Sequence, residues 1–251
     1  MAQCNRTILV SNDDGVDAEG LARLVESLSP LGEVVVVAPA GNQSAVSHSL
    51  TLGRPLRVRR VRPSWFSVDG TPTDCVNIGC SGLLRRPPGL VVSGINAGLN
   101  VGDDITYSGT VAAAIEGTLL GIPSIAVSMD RSRGGDWKAA ERIARRLALD
   151  VLARGLPEDT LLNVNVPAGD VAGARWTRQG RRMRRALVPR PIEFVDGEEY
   201  WISDLPPDWA EDPMADWAAV LEGWASVTPL HLDLTHHRAM RQMADWPLLT
   251  E

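Results

Sequence analysis

Cysteine is scarce in this chain of 251 residues, which contains Cys4, Cys75 and Cys80 and no others. An odd number of cysteines without the paired spacing of a zinc finger indicates neither a disulfide framework nor a structural zinc site. We therefore expect reduced thiols. A cytoplasmic location is predicted because the sequence has neither a membrane span nor a secretion signal.

Long apolar runs and an excess of basic charge are also missing. No apolar run approaches the length of a membrane span, and the first residues lack the basic and apolar segments of a secretion signal. The formal net charge of -6 argues against binding to a nucleic-acid duplex, because such binding needs a basic surface. We expect a soluble protein that binds neither a membrane nor a nucleic-acid duplex. Small anionic substrates remain compatible with this charge if positive charge is local.

The apolar residues that are present alternate between two patterns. Residues 8–10 and 34–38 are continuous apolar runs that suit strands buried on both faces, and residues 21–28 between them have helical spacing. This order predicts a βαβ unit with parallel strands and a right-handed crossover. Further buried strands are predicted at 90–92, 125–127 and 161–166, with helices after residues 108 and 137. The chain is therefore expected to have an α/β fold.

The first predicted strand ends in two adjacent carboxylates, Asp13 and Asp14, followed by Gly15. In open α/β sheets, ligands bind at the carboxyl ends of the strands. Two ionised neighbours there repel each other unless a cation or a shared proton offsets their charge. A hard divalent metal explains the pair, and so does a helix cap supplied by one of the acids to a helix near Asp17.

Two further loops are predicted at the same edge of the sheet. Residues 40–49, which include Ser44 and His48, follow the second strand, and residues 93–104 follow the strand that begins at Leu90. Ser44 lacks the Gly-x-Ser-x-Gly pattern of a nucleophile, so we interpret His48 as a satisfied loop or core histidine. The loop at 93–104 combines glycines with oxygen-bearing side chains, which suits a ligand site.

A helix is predicted to begin with Ser108, Gly109 and Thr110. Free backbone amides at the positive end of a helix dipole, together with two hydroxyl groups, can hold a phosphate. A simple N-cap by Ser108 explains the same residues. Both interpretations stay open.

The sequence pattern changes after residue 170. Residues 175–190 are rich in arginine and residues 198–216 are acidic and interrupted by prolines, which favours a hairpin arm over further βαβ units. A short helix capped by Asp212 and a last strand at 224–232 are predicted next. We expect a core at 1–170 and an arm, short helix and C-terminal strand or tail at 171–251. Five tryptophans in this part fit an interface, a lid or a core equally well: Trp201, Trp209, Trp217, Trp224 and Trp246.

Several motifs taken together resemble the stationary-phase survival protein SurE family. They are Val-Ser-Asn-Asp-Asp-Gly at 10–15, the loop at 38–52, Gly-Thr-Pro-Thr-Asp-Cys-Val at 70–76, Ser-Gly-Ile-Asn at 93–96, Tyr-Ser-Gly-Thr-Val at 107–111, Asn-Val-Asn-Val-Pro at 163–167 and the stretch at 227–235. The motifs occur in order over nearly the whole chain. Ala45 and Ala112 depart from the family pattern, which often has glycine at these positions.

The resemblance implies a metal-dependent phosphatase that acts on nucleoside 5′- and 3′-monophosphates and, in some members, on short polyphosphate. It implies a Rossmann-like three-layer sandwich with a mostly parallel sheet, plus a C-terminal hairpin arm and tail exchanged within a homodimer or homotetramer. One divalent ion per subunit would be held by Asp13, Asp14, Ser44 and Asn96. The substrate phosphate would contact Asn96, Ser108, Gly109 and Thr110.

The chemistry of these side chains is consistent with that expectation. Carboxylate, amide and hydroxyl oxygens suit Mg²⁺ or Mn²⁺ better than zinc. We assign catalytic roles to Asp13 and Asp14, with Asp14 favoured to orient or deprotonate the attacking water. A non-catalytic nucleotide-sensing module would use the same sites and stays an alternative. A dinucleotide-dependent oxidoreductase is disfavoured, because the glycine-rich fingerprint is missing from the first loop.

Overall fold

The computed structural model describes residues 6–132, 134, 136–182, 187–194, 197–204 and 208–246. Cys4 and part of the arginine-rich run at 175–190 therefore lie outside the described residues. The helices are α1 (Glu19–Leu28), α2 (Pro72–Ile78), α3 (Gly109–Leu119), α4 (Lys138–Arg154), α5 (Asp216–Leu221) and α6 (His237–Gln242). No helix in this part of the chain is long and apolar enough to cross a membrane.

The strands are β1 (Ile8–Ser11), β2 (Val34–Pro39), β3 (Val58–Arg62), β4 (Trp65–Val68), β5 (Leu90–Ala97), β6 (Ser124–Met129), β7 (Thr160–Val166), β8 (Ala174–Trp176), β9 (Leu187–Phe194), β10 (Gly197–Asp204) and β11 (Ala225–His231). Among the described residues, nine of them form one sheet in the order β3-β4-β2-β1-β5-β6-β7-β11-β8. The six strands from β4 to β7 run parallel, whereas β3 and β11 pair antiparallel with their inner neighbours. The predicted α/β fold with a mostly parallel sheet is confirmed.

Helices cover both faces of this sheet, as a continuous apolar run in a strand requires. Ile8 and Val10 of β1 belong to the apolar cluster that α1 and α4 complete. Leu9, which points to the opposite face, packs in a second cluster with Val76 of α2 and Ala113 of α3. The sheet is thus the middle layer of a three-layer sandwich, as predicted.

The connections around β1 create the crevice in which the site lies. Helix α1 carries the chain from β1 to β2 on one side, and α2 later returns it past β1 to β5 on the other side. Residue Ile8 is accordingly paired with Val34 of β2 and with Leu90 of β5. Ligands bind at such a switch point, outside the carboxyl ends of the two diverging strands.

The part of the chain beyond residue 170 contributes both to the sheet and to the arm. Strands β8 and β11 extend the large sheet beyond β7. Strands β9 and β10 pair antiparallel with each other, with Phe194 opposite Gly197, and form the predicted hairpin arm. The proposed boundary at residue 170 stays a prediction.

The opposite edge of the sheet is strand β3, which is exposed along its whole length. The alternation of apolar and basic residues at 51–68 predicts exposed strands or a hairpin, and the exposure is correct for β3. The two strands do pair antiparallel, but the predicted exposure is wrong for β4, which is largely buried because it also pairs parallel with β2 inside the sheet. Arg62 of β3 stacks on the Trp65 ring, with 3.5 Å from the guanidinium carbon to the ring centroid.

Several predicted ends of elements are wrong for identifiable reasons. Strand β5 continues to Ala97, because Asn96 resumes pairing with Ser128 of β6 after an irregularity. The residues at 70–75 predict a turn into a helix with Asp74 or Thr73 near its cap. The N-cap of α2 is Thr71, and Asp74 completes a capping box with it.

The predicted helix start at Asp212 is also wrong. The Asp212 carboxylate instead accepts two hydrogen bonds from Arg178, at 2.6 and 2.8 Å, and one from the backbone of Met214. Helix α5 consequently begins at Asp216, with Ala215 as its N-cap and without a side-chain hydrogen bond there.

Candidate functional site

Two neighbouring strands bring the predicted metal ligands to one place. Asp13 and Asp14 follow the end of β1, and Asn96 lies near the end of β5, which is paired with β1 in register through Ser11 and Ser93. The backbone amide of Ala97 points to the Asp14 carboxylate at 3.5 Å. The structure thus places these three side chains at the switch point of the sheet.

The loop that carries Ser44 is attached to the Asp13 loop through its backbone. The Gln43 amide donates a hydrogen bond to the Asp13 carbonyl at 2.7 Å. Gly15, at a φ of 104°, lies so close to Gly41 that an added Cβ would be 3.1 Å from the Gly41 carbonyl carbon. Ser44 follows Gln43 in this loop, at the same edge of the sheet as Asp13, and it is exposed.

Asp13 contacts the beginning of α3, and the sequence analysis did not predict this contact. The Thr110 hydroxyl donates a hydrogen bond to Asp13 Oδ1 at 2.5 Å. A Cβ on Gly109 would lie 2.7 Å from the Asp13 Cβ, so only glycine admits this approach. The alternative in which Asp13 or Asp14 caps the first helix is wrong, because α1 has Ala18 as its N-cap and no side-chain hydrogen bond there.

The two acids are in an electrostatically unfavourable environment for carboxylates. Burial raises the pKa of Asp13 from 3.8 to about 6, against the lowering effect of the Thr110 hydroxyl, and the neighbouring Asp14 raises it further. Burial also raises the pKa of Asp14, and the hydrogen bond from the Ala97 amide opposes that increase without cancelling it. Protein groups alone leave this pair of negative charges incompletely compensated.

These residues fit a hard divalent cation. Asn96 donates from Nδ2 to the Gly98 carbonyl at 2.9 Å, which leaves Oδ1 as an acceptor. In the described ranges no three His, Cys, Asp or Glu side chains converge on a metal position, so a cation here would take two carboxylates and neutral oxygens. Such an all-oxygen set with places for water is what Mg²⁺ and Mn²⁺ prefer.

The first turn of α3 uses both of its hydroxyl groups inside the protein. The Ser108 hydroxyl accepts a hydrogen bond from the Val111 amide at 3.1 Å and is the N-cap of the helix. Thr110 is fully buried, and its hydroxyl is directed to Asp13. The N-cap interpretation of Ser108 is confirmed, and a phosphate here would meet mainly the backbone amides of this turn.

A buried acid near this turn was missed by the sequence analysis. Glu116 of α3 is 5% exposed, and its carboxylate lies 2.9 Å from His48 Nε2 and accepts a hydrogen bond from Asn77 Nδ2 at 2.8 Å. The hydrogen bond to His48 is the largest cause that lowers the pKa of Glu116. A glutamate within an otherwise small and apolar helix was the signal that could have revealed it. His48 is hydrogen-bonded, as interpreted.

A cavity of about 660 Å³ lies beside the same turn. His48, Thr106 and Ser108 line it, and much of the remaining wall is apolar side chains such as Leu161 and Leu230. The N-terminal end of α3 therefore separates the acidic pair from a mainly apolar space.

Comparison with known proteins identifies the group to which this arrangement belongs. The family described as Survival protein SurE matches residues 8–186 of the chain. The chain belongs to the SurE family. The match includes β1, the Ser44 loop, β5 and the beginning of α3, so every predicted site residue lies within it. The resemblance drawn from the motifs is confirmed.

Individual SurE family members are similar over almost their full length. The 5′-nucleotidase SurE of Syntrophotalea carbinolica is 51% identical over 243 residues, which cover 96% of this chain and 97% of that protein. The 5′-nucleotidase SurE of Pelobacter propionicus is 50% identical over 246 residues, covering 95% and 98%. The crystal structure of the SurE protein from Aquifex aeolicus superposes with a TM-score of 0.83 at 44% identity and covers 94% of this chain and 98% of that one.

Proposed function

We propose that this SurE family protein is a 5′-nucleotidase, a phosphoric monoester hydrolase that needs a divalent metal and converts nucleoside 5′-monophosphates to nucleoside and phosphate. The observation that carries the proposal is the pair Asp13 and Asp14, two neighbouring acids at the switch point whose pKa values burial raises. The relatives named 5′-nucleotidase SurE, at about half identity over the full chain, support the substrate class.

The proposed ligands of the ion are Asp13, Asp14, Ser44 and Asn96, with one Mg²⁺ or Mn²⁺ per subunit. When bound, such an ion polarises a phosphoryl oxygen and lowers the pKa of a water molecule. Asp13 is held rigidly by Thr110, which suits a ligand. Asp14 is more exposed and lacks a comparable side-chain partner among the residues described, which suits a group that orients or deprotonates the attacking water.

The proposed phosphate site is the N-terminal turn of α3 together with Asn96. The backbone amide of Gly109 and the helix dipole would stabilise the charge that develops on the phosphoryl oxygens. Ser108 contributes as the cap that fixes this turn, and Thr110 contributes by orienting Asp13. The contacts of the Ser108 and Thr110 side chains in the folded chain support these proposed roles.

The finer parts of the proposal are activity on 3′-monophosphates and short polyphosphate, a cytoplasmic location and an oligomer. Two buried free thiols, Cys75 and Cys80, support a reducing compartment. The C-terminal tail exposes Leu234, Met240 and Trp246 at 93%, 61% and 63%, and a second subunit that exchanges tails in a homodimer or homotetramer would cover them. Sedimentation at micromolar concentration tests this, and a monomer that retains full activity would refute it.

Release of inorganic phosphate tests the activity directly. We would compare 5′-monophosphates, 3′-monophosphates and polyphosphate as substrates, each with Mg²⁺, with Mn²⁺ and with excess EDTA. Hydrolysis should disappear with EDTA and return with added metal, and Asp13→Asn should weaken metal binding by roughly one to two orders of magnitude. Full activity in EDTA would refute the metal requirement. Nucleotide binding without turnover would instead identify a nucleotide-sensing module.

A further inference from the structure

Residues 47–51, at the C-terminal end of the Ser44 loop, are attached to three different elements; we call them the anchored segment. The Ser47 hydroxyl donates to the Thr106 carbonyl at 2.8 Å, and the Ser47 amide donates to the Tyr107 carbonyl at 3.1 Å. At the other end, the Thr51 amide donates to Asp74 Oδ1 at 2.9 Å. The segment is thus fixed to the loop before α3 and to the beginning of α2.

The middle of the anchored segment is fixed by a buried acid. His48 Nε2 lies 2.9 Å from Glu116 Oε2, and Asn77 of α2 donates to the other carboxylate oxygen at 2.8 Å. A buried carboxylate is costly unless hydrogen bonds and charge compensate it. Because α3 could have placed an apolar residue at Glu116, as it does at Ala112 and Ala113, its carboxylate there indicates a role for the contact with His48.

The loop that this contact holds has an unfavourable backbone. Ala45 and Ser47 have φ values of 58° and 55°, in the left-handed region that side-chain-bearing residues rarely adopt. Such residues cost about 1 kcal/mol or more each and persist where surrounding contacts impose them. Ser44 lies immediately before this stretch, so its hydroxyl position depends on what holds residues 45–48.

We propose that His48 and Glu116 are positioning residues for the metal site. The carboxylate of Glu116 fixes the imidazole of His48 against α3, and this contact keeps the loop of Ser44 seated over the N-terminal turn that also orients Asp13. Neither residue is proposed to touch the substrate. The inference rests on the proposed function in one respect, namely that Ser44 is a ligand of the cation.

The first measurement is Mn²⁺ binding without substrate, followed by electron paramagnetic resonance. His48→Ala should raise the dissociation constant about 10-fold to 100-fold, the effect that the loss of a partner behind a metal ligand typically has. At saturating Mn²⁺ its kcat should return to within about threefold of the wild-type value, because a positioning residue acts through the ligand alone. A persistent large loss of kcat would overturn the proposal and make His48 a catalytic residue.

Two matched variants complete the experiment. His48→Gln places an amide donor near the position of Nε2 and should recover most of the lost Mn²⁺ affinity. Thr118→Ala removes a buried hydroxyl from the same helix, where it bonds only to the Ala114 carbonyl among the described contacts, and should leave Mn²⁺ affinity unchanged. Equal weakening in Thr118→Ala and His48→Ala would indicate a general loss of stability and would overturn the proposal.

Amide hydrogen exchange of the metal-free protein separates this inference from the proposed function. Peptides that cover residues 40–52 should exchange faster in His48→Ala than in the wild type and in Thr118→Ala. Unchanged exchange together with unchanged Mn²⁺ affinity would refute the positioning role, even if the wild type hydrolyses nucleotides. A wild type that binds Mn²⁺ but shows no metal-dependent turnover would refute the proposed function and leave the exchange result to decide the inference.

Discussion

Asp14 and Asp216 are both acids that burial shifts to a raised pKa, yet their surroundings differ. Asp216 Oδ2 accepts a hydrogen bond from the Gly102 amide at 2.8 Å, and its Oδ1 accepts from the Gly180 and Trp217 amides at 3.0 and 2.8 Å. Three backbone donors thus compensate one carboxylate. Asp216 joins the loop before α3 to the first residues of the C-terminal part, which is a structural role.

Asp14 has far less compensation. The nearest donor among its described contacts is the Ala97 amide at 3.5 Å, and its neighbour Asp13 adds a second negative charge. Burial and a raised pKa are therefore found both in a carboxylate with a structural role, Asp216, and in a carboxylate with a proposed catalytic role, Asp14. The number of hydrogen-bond donors and their distances distinguish Asp14 from Asp216. A carboxylate with few and distant donors can still bind a cation or a water molecule.

Packing around the structural acid supports this contrast. The rings of Trp209 and Trp217 stack with their centroids 5.5 Å apart, and Arg182 forms an ion pair with Asp104 at 2.6 Å. A Cβ on Gly102 would lie 2.5 Å from the Trp209 ring. Trp209 and Trp217 pack within the chain and support the loop that leads to α3, whereas the side chain of Trp201 lies outside the described residues.

The largest expected effect comes from Asp14→Asn. The change removes a metal ligand and the proposed base together, so kcat/KM should fall by about 10²-fold to 10⁴-fold. The free energy of unfolding should stay the same or rise, because an uncompensated buried charge is removed. Steady-state kinetics and urea denaturation of the same preparation measure both. Near wild-type kcat/KM would assign the base to another group.

Asp216→Asn should give the opposite result. The NH₂ group of the new asparagine cannot accept a hydrogen bond, so it would leave either the Gly102 amide or the Gly180 and Trp217 amides without an acceptor. The free energy of unfolding should therefore fall by about 1–3 kcal/mol. The variant should keep kcat within a few-fold at a temperature where it is folded. Urea denaturation and phosphate release measure the two effects. A large loss of activity without a loss of stability would contradict the structural assignment.

The smallest effect concerns the pH dependence of stability through Glu116. Its pKa is below the usual 4.5, chiefly because of the His48 hydrogen bond; the Asn77 hydrogen bond lowers it further, whereas burial and, to a smaller extent, the charge of Asp74 raise it. A lowered folded-state pKa contributes stability above the unfolded value and loses it as the pH falls. The unfolding free energies of the wild type and Glu116→Gln should therefore converge, by about 1 kcal/mol, as the pH falls below 4.5. Urea denaturation from pH 6 to pH 3.5, by roughly half-unit steps across that linkage range, tests this. Parallel curves would contradict it.

Local sequence patterns were enough to predict the buried strands of the sheet and the edge at which the site lies. Continuous apolar runs identified β1, β2, β5, β6 and β7. Because ligands bind at the carboxyl ends of parallel strands, Asp13 and Asn96 were expected at one edge of the sheet. The same reasoning could not find contacts between distant residues. Thr110 and Asp13 are 97 residues apart, and His48 and Glu116 are 68 apart.

The wrong helix start at Asp212 has the same physical origin. A good capping residue was present, but Arg178, 34 residues earlier, binds its carboxylate and places it outside the helix. Propensity describes what a residue does when nothing distant competes for it. Where a distant ion pair competes for the side chain, as it does here, local prediction fails.

The exposed strand β3 has a consequence for how the protein behaves in concentrated solution. An edge strand offers unpaired amides and carbonyls to any other chain, and stacking of such edges is a common start of aggregation. The sequence of β3 is Val-Arg-Arg-Val-Arg, so two copies brought edge to edge would set arginines against arginines. Like charges directly opposite each other destabilise a strand pair. The charge of this edge therefore opposes growth of the sheet by edge-to-edge pairing at β3.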